Sequence, residues 1–230
     1  MRLDLLRELN EARAARRPII LATATEGGGQ RLIRPGDRME DERLAAEVAA
    51  RWRSGRSGLV ESADGPVFLT VHLPPPKLVV IGAVHISQAL APMARIAGLD
   101  VAIVDPRTAF ATTERFPDVP LLAEWPQDAL PKLGVDRYTA LAALTHDPKI
   151  DDPALLHAFA SDCFYIGALG SRKTHGRRIE RLKAQGVGEN ALARIHAPIG
   201  LDIGAESPAE IATAVLAQVI QALRKGDGAA

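Results

Sequence analysis

Apolar positions along this chain follow two regimes, and the change falls at Pro74-Pro75-Pro76. Before the prolines the runs are short and mixed. Leu3 to Arg16 alternates apolar and charged residues at helical spacing, with Leu5, Leu6, Leu9 and either Ala12 or Arg13 near one face, and Pro18 stops it. Pro18 to Thr25 reads as a strand, Glu26 to Gln30 as a glycine-rich turn and Arg31 to Arg34 as a return strand. Asp41 to Arg53 predicts a helix with Leu44, Val48 and Trp52 on one stripe. Leu59 to Glu61 and Val67 to Leu73, around Asp64-Gly65-Pro66, predict a second hairpin. Residues 1–73 are therefore expected to form a small α+β domain and 74–76 a stiff linker, since consecutive prolines lack backbone donors and hold extended geometry.

From residue 77 to 230 the pattern becomes strand, helix, strand. Lys77 to Ile81 is a run of β-formers closed by Gly82, a helix is predicted from Ser87 to Ala97, and Leu99 to Val104 is a second apolar run closed by Asp105. That is the outline of a dinucleotide-binding βαβ unit, with Val84 and Ser87 where the second and third fingerprint glycines would stand. Leu121-Leu122 suggests a short strand and Gln127 to Leu133 a short helix. Tyr138 to Leu144 suits a parallel strand buried on both faces. Asp151 or Asp152 with Pro153 is read as the cap-then-proline start of a helix running to Ser161, followed by a strand at Cys163 to Leu169. A basic helix, a connection at Gly186-Val187-Gly188, the stretch Asn190 to Ile195 and an irregular loop from His196 to Gly204 come next. Ser207-Pro208-Ala209-Glu210 has the makings of a capping box for a last helix, with Ile211, Val215, Leu216, Val219, Ile220 and Leu223 on its apolar face. The expected fold is α/β, a Rossmann-like parallel sheet with flanking helices behind the small α+β domain.

Composition narrows this further. The 230 residues are 47% hydrophobic with a formal net charge of zero, which fits a globular protein and argues against a general nucleic-acid binder. The single cysteine, Cys163, excludes an intramolecular disulfide and a thiolate-rich metal site, and its place in a buried strand makes it inert core. Met1 to Leu6 carries charges and no long apolar run, so no signal peptide is expected. No window is apolar enough for a membrane span, and the expected location is the cytoplasm.

In open α/β sheets ligands bind at the carboxyl ends of the strands. Four predicted strand ends carry polar residues: Gly82 to His85, Asp105 to Arg107, Thr145-His146-Asp147, and Gly170-Ser171-Arg172-Lys173. His85 either touches a phosphate or carries a proton, or it fills the turn. Asp105 either accepts from a ribose hydroxyl or pairs with Arg107. His146 is an acid/base candidate and a poorer metal ligand, and no metal site is assigned. Ser171 and Arg172 at a helix start offer a hydroxyl, backbone donors and cations for phosphate. Arg177, Arg178 and Arg181 read as a solvated basic face. His196 is a loop-locking hydrogen-bond partner or a site residue, and Asp202 binds a ligand amide or fixes its turn. No hydrolase, metalloprotease or NTPase motif is present, and no catalytic residue is assigned.

The order Gly82-Ala83-Val84-His85, Val104-Asp105-Pro106-Arg107, Glu114-Arg115-Phe116-Pro117, Leu144-Thr145-His146-Asp147, Tyr165 to Arg172 and Ile195 to Gly204 resembles the XdhC/CoxI family over about Lys77 to Lys225. The resemblance implies an accessory protein rather than an enzyme. It would bind molybdenum cofactor (molybdopterin or a dinucleotide form), aid its sulfuration and deliver it to a xanthine dehydrogenase-type molybdenum hydroxylase apoenzyme. A cysteine desulfurase as partner and a homodimer are implied with it. The implied cofactor-binding set is Gly82, His85, Asp105, Arg107, Thr145, His146, Asp147, Gly170, Ser171, Arg172, Pro198 and Asp202. The chain departs from the family pattern at Val84, where a glycine is usual, and after Arg34-Pro35-Gly36, where the usual cysteine-bearing segment is missing. Two rival readings are an NAD(P)-dependent oxidoreductase with His146 or His85 as proton carrier, and an interaction module without ligand.

Overall fold

The structure is a computed structural model that describes residues 2–225; the ends of the two expected domains, Met1 and residues 226–230, lie outside the described residues. The chain divides into two compact units, 1–74 and 75–230.

In the first unit, helix α1 (Leu3–Ala14), strands β1 (Ile19–Ala24) and β2 (Gln30–Ile33), helix α2 (Glu42–Ser54) and strands β3 (Gly58–Ser62) and β4 (Gly65–His72) build an antiparallel sheet of order β2-β1-β4-β3. Ile20, Ala22, Ile33, Val60 and Leu69 bury one face of this sheet against Leu44 and Val48 of α2. Asp41 caps α2 by accepting from the N–H groups of Arg43 and Leu44, and its other oxygen takes the Ala63 N–H of the β3–β4 turn at 2.8 Å. Of the apolar stripe expected on α1, only Leu9 and Ala12 are buried.

The second unit runs β5 (Lys77–Ile81), α3 (His85–Ile96), β6 (Asp100–Val104), β7 (Leu121–Leu122), α4 (Pro126–Leu133), β8 (Thr139–Ala143), α5 (Pro148–Ala160), β9 (Tyr165–Ala168), α6 (Arg172–Ala184), α7 (Glu189–Leu192), β10 (Ile195–His196) and α8 (Pro208–Lys225). Its sheet has the order β10-β9-β8-β5-β6-β7, and every pairing is parallel. All five residues of β5 are buried. Leu78 and Val80 pack with α3 and α8 on one face; Val79 and Ile81 pack with α4, α5 and α6 on the other. This two-sided burial is why the strand reads as an unbroken apolar run. The chain leaves β5 toward β6 and later returns on the other side as β8, so the topological switch point lies between β5 and β8.

Several local expectations shift. Helix α3 begins at His85, because Val84 takes the N-cap position with extended backbone (φ −103°, ψ 174°). Helix α5 begins at Pro148, not at Asp151–Pro153: Asp147 caps it, Pro148 stands in the first turn, and Asp151 and Asp152 are buried within it. The cap-then-proline rule is right, but the chain satisfies it one turn earlier. The stretch before Ile195 forms the short α7, and His196, expected in an irregular loop, extends the sheet with Ile195 as β10. Ser207 and Glu210 form the reciprocal capping box on α8: the Glu210 N–H donates to Ser207 Oγ (3.3 Å), and the Ser207 N–H to Glu210 Oε2 (2.9 Å). Small residues (Ala212, Ala214, Ala222) fill much of the buried face of α8, while Ile220 is exposed.

Candidate functional site

The turn after β5 is built around Gly82, which takes φ +117°. A Cβ there would stand 2.9 Å from Thr145 Cγ2, so the glycine lets the β5 and β8 turns close on each other across the switch point. Ser87, fully buried in the place of the third fingerprint glycine, donates its hydroxyl to the Gly82 carbonyl at 2.5 Å. The turn that a glycine-rich loop would leave loose is thereby tied to its own helix.

Asp105 closes β6 with no exposed surface. Its Oδ2 accepts from the Ala83 N–H (2.8 Å) and Arg107 Nη2 (2.7 Å); its Oδ1 accepts from the Arg107 N–H and Nε (both 2.9 Å). Four protein donors occupy the four acceptor positions of the carboxylate. Of the two roles open to Asp105, the structure realises the pairing with Arg107. Burial pushes the Asp105 carboxyl up. The Arg107 guanidinium and the two backbone donors outweigh that and hold it below the ordinary carboxylate value. Arg107 is correspondingly raised, with Asp147 and Asp151 adding to the field it feels.

Across the switch point, Thr145, His146 and Asp147 form the β8 turn. The Thr145 hydroxyl donates to Asp151 Oδ1 (2.6 Å), the His146 N–H donates to Asp151 Oδ2 (3.1 Å), and the Asp147 N–H donates to Thr145 Oγ1 (3.1 Å). His146 sits at φ +64°, a left-handed conformation that costs a non-glycine residue roughly 1 kcal/mol or more. Those hydrogen bonds hold it there, with its side chain exposed. The Asp147 carboxylate accepts from the Lys149 N–H as cap of α5.

Gly170, at φ +136°, ends β9, and a Cβ on it would lie 3.7 Å from His146 Nδ1, so the β8 and β9 turns are neighbours. Ser171 caps α6, accepting from the Thr174 N–H (3.2 Å); Arg172 and Lys173 open the helix, both exposed. His85 is exposed in the first turn of α3. Gly82, Asp105, Thr145 and Gly170 therefore stand in adjacent positions along one edge of the sheet. Pro198 and Asp202 follow the edge strand β10, three places from β5. Their segment is tied to β9 and α8, with Gln218 Oε1 accepting from the Gly200 N–H (2.8 Å) and the Tyr165 hydroxyl (2.7 Å). His196 stacks on Tyr165 at 4.8 Å.

Four residues outside the predicted binding set shape this edge: Ser87, Arg115, Asp151 and Arg178. Arg115 donates to the carbonyls of Ala83 (2.9 Å) and Phe110 (2.8 Å). Arg178, expected on a solvated face, is 2% exposed and donates to the Leu169 carbonyl at 2.9 Å. Arg181 is likewise engaged, as a fork on Asp152. The available signal was spacing: Arg178 lies one turn before Leu182, which is fully buried. Burial pushes the Asp151 carboxyl up. The Thr145 hydroxyl, Arg178 and two backbone donors pull it back without restoring the ordinary value. Among the described residues no group of three or more His, Cys, Asp or Glu is placed to hold a metal ion, and no helix is long and apolar enough to cross a membrane.

The edge so described presents glycine turns, a capped helix N-terminus and fixed guanidinium groups, a donor set suited to phosphate. The family model described as the XdhC Rossmann domain matches residues 78–219. The Escherichia coli protein YqeB, itself uncharacterised, is 35% identical over 182 residues, covering 76% of this chain and 33% of that protein. A probable xanthine dehydrogenase subunit of Bacillus subtilis is 32% identical over 153 residues, covering 66% of this chain and 44% of that protein. The E. coli molybdenum cofactor insertion chaperone PaoD is 30% identical, covering 62% and 39%. The chain thus spans less than half the length of these curated relatives. A crystal structure of a Bacillus halodurans xanthine dehydrogenase shares the fold, with a TM-score of 0.69 at 21% identity over 96% of this chain and 67% of that one.

Proposed function

The chain belongs to the XdhC family, and from that premise we propose that it is a molybdenum cofactor-binding accessory protein that helps mature a xanthine dehydrogenase-type molybdenum hydroxylase. The observation that carries this reading is the alignment of Gly82, Asp105, Thr145 and Gly170 on one sheet edge beside the N-terminus of α6. The names of two relatives, one a molybdenum cofactor insertion chaperone and the other a xanthine dehydrogenase component, support it.

The cargo is a pterin bearing phosphate, as molybdopterin or a dinucleotide form. The residues present fit such a group. Gly170, at φ +136°, lets the turn pack against Thr174, Ser171 orders the first turn of a thirteen-residue helix, and Arg172 and Lys173 add charge to its positive end. Phosphate is held there, while Thr145, His146 and Asp147 face the cargo from β8 and His85 from α3. Pro198 and Asp202 are proposed to line the cleft from the β10 side.

Cys163, the protein's single cysteine, is buried, and burial pushes its thiol up to about 12. Sulfur for the cargo therefore comes from a partner, a cysteine desulfurase, with this chain as holder and deliverer to the apoenzyme. We place this work in the cytoplasm and in a homodimer. The nicotinamide-dependent reading loses its ribose acceptor, because protein donors saturate Asp105.

Purification from cells that make molybdenum cofactor, followed by pterin and molybdenum analysis, tests the proposal. Stoichiometric pterin is expected. Bound NAD(P) or hydride transfer would replace it with an oxidoreductase. A pterin-free protein that still co-purifies with a hydroxylase would leave an interaction module.

A further inference from the structure

Phe110 lies in the segment between β6 and β7 with 46% of its surface exposed, yet its surroundings are ordered around it. The Arg107 guanidinium carbon stands 4.8 Å from the ring centroid and that of Arg115 stands 5.9 Å away. Neither guanidinium is free to leave. Arg107 is clamped by the fork to buried Asp105; Arg115 is held by the carbonyls of Ala83 and Phe110 and by Gln88 Oε1 (3.2 Å). The Phe110 backbone is pinned as well: its N–H donates to the Arg107 carbonyl at 2.9 Å, and its own carbonyl accepts from Arg115. A ring held this way has little conformational freedom left to lose when something stacks on it. Arg115 also ties the ring's segment to Ala83, the residue that follows Gly82 in the β5 turn.

We propose that Phe110, with Arg107 and Arg115, is a stacking platform for the heteroaromatic base of a nucleotide-bearing ligand, and that Asp105 serves the platform instead of reading a ribose. Planar bases stack on aromatic and guanidinium planes with little sequence preference, and a fixed cation beside the ring favours an electron-rich, phosphate-bearing partner. Because the acceptor positions of Asp105 are filled, a missing ribose hydroxyl goes unnoticed. The proposal rests on the reading of the cleft as a site for a phosphate-bearing cofactor, and it selects the dinucleotide form of that cargo.

Calorimetry of the full chain with inorganic pyrophosphate, ADP, CDP and 2′-deoxy-ADP tests it. Both ribonucleoside diphosphates are expected to bind about fivefold or more tighter than pyrophosphate, the low end for one stacked base. Phe110→Ala is expected to erase that advantage and Phe110→Trp to keep it; deoxy-ADP should match ADP within about twofold on the hydrogen-bond scale. Equal binding of pyrophosphate and nucleotides, no nucleotide binding, or an advantage that survives Phe110→Ala overturns the platform. Loss of hydroxylase co-purification in Phe110→Ala with nucleotide affinity intact also overturns it, in favour of a protein contact. Weaker binding of deoxy-ADP overturns the role given to Asp105. A chain that carries pterin yet ignores Phe110→Ala keeps the cofactor proposal and loses this one.

Discussion

Asp151 and Arg178 face each other at 3.8 Å in the interior, 1% and 2% exposed, from two different helices. Asp151 holds the β8 turn through Thr145 and His146, and Arg178 holds the end of β9 through Leu169. One buried ion pair thus sets two of the strand ends that form the candidate site.

Removing one partner leaves an uncompensated buried charge, which costs about 3–5 kcal/mol. Asp151→Ala is expected to lower unfolding stability on that scale in urea titration. An Asp151→Ala/Arg178→Met double variant should lose less than the sum of the singles. Strict additivity would show that the two charges are not coupled.

Gly82→Ala places a Cβ at φ +117° against Thr145. The strain should destabilise the protein by about 1–3 kcal/mol in thermal or urea unfolding. Ligand affinity should fall as well, since the β5 and β8 turns must part. A variant as stable as the parent would mean that the turn relaxes freely.

Arg172→Ala removes an exposed cation at the start of α6 without touching the core. Ligand affinity should fall by about 1 kcal/mol or more, the scale of a charge-assisted hydrogen bond, with the unfolding midpoint unmoved. Unchanged affinity in calorimetry would remove Arg172 from the site.

Cys163, buried and with its thiol pushed up to about 12, should resist alkylation by iodoacetamide at pH 8 until the protein is unfolded. Cys163→Ala should leave cofactor loading intact. Fast labelling of the native protein would contradict the burial.

The pH dependence follows from opposed shifts. Asp105 titrates below its ordinary value of 3.8, so the stability it adds is present above that pH and is lost as pH falls through its folded value. Asp151 is shifted up, and the stability linked to its neutral form is lost as pH rises through its folded value. His72, His157 and His175 are lowered mainly by burial, so the stability linked to their neutral forms is lost as pH falls through their folded values. Asp105→Asn should cost about 1–3 kcal/mol at pH 7, and its deficit against the parent should shrink below pH 4 in acid-unfolding curves. A deficit that stays constant to pH 3 would refute the shift.

What the sequence by itself determined is local and periodic. The apolar runs of β5 and β8, the capping box of α8, the regime change at the prolines and the family motifs depend on neighbours a few residues apart, and each is read from the residues that make it. What only the tertiary structure decided depends on partners far along the chain. Cap-then-proline chemistry occurs at both Asp147-Pro148 and Asp152-Pro153, and nothing local chooses between them. The choice falls to Asp147 because Asp151 and Asp152 are needed inside α5, facing Arg178 and Arg181 from a helix more than twenty residues away. Likewise Asp105 could serve a ribose or Arg107 on sequence alone; the fold supplies the Ala83 N–H and the guanidinium fork that saturate it. Burial of a charge depends on where its counter-charge is delivered, and that is a property of the packed sheet and helices, not of the run of residues around it.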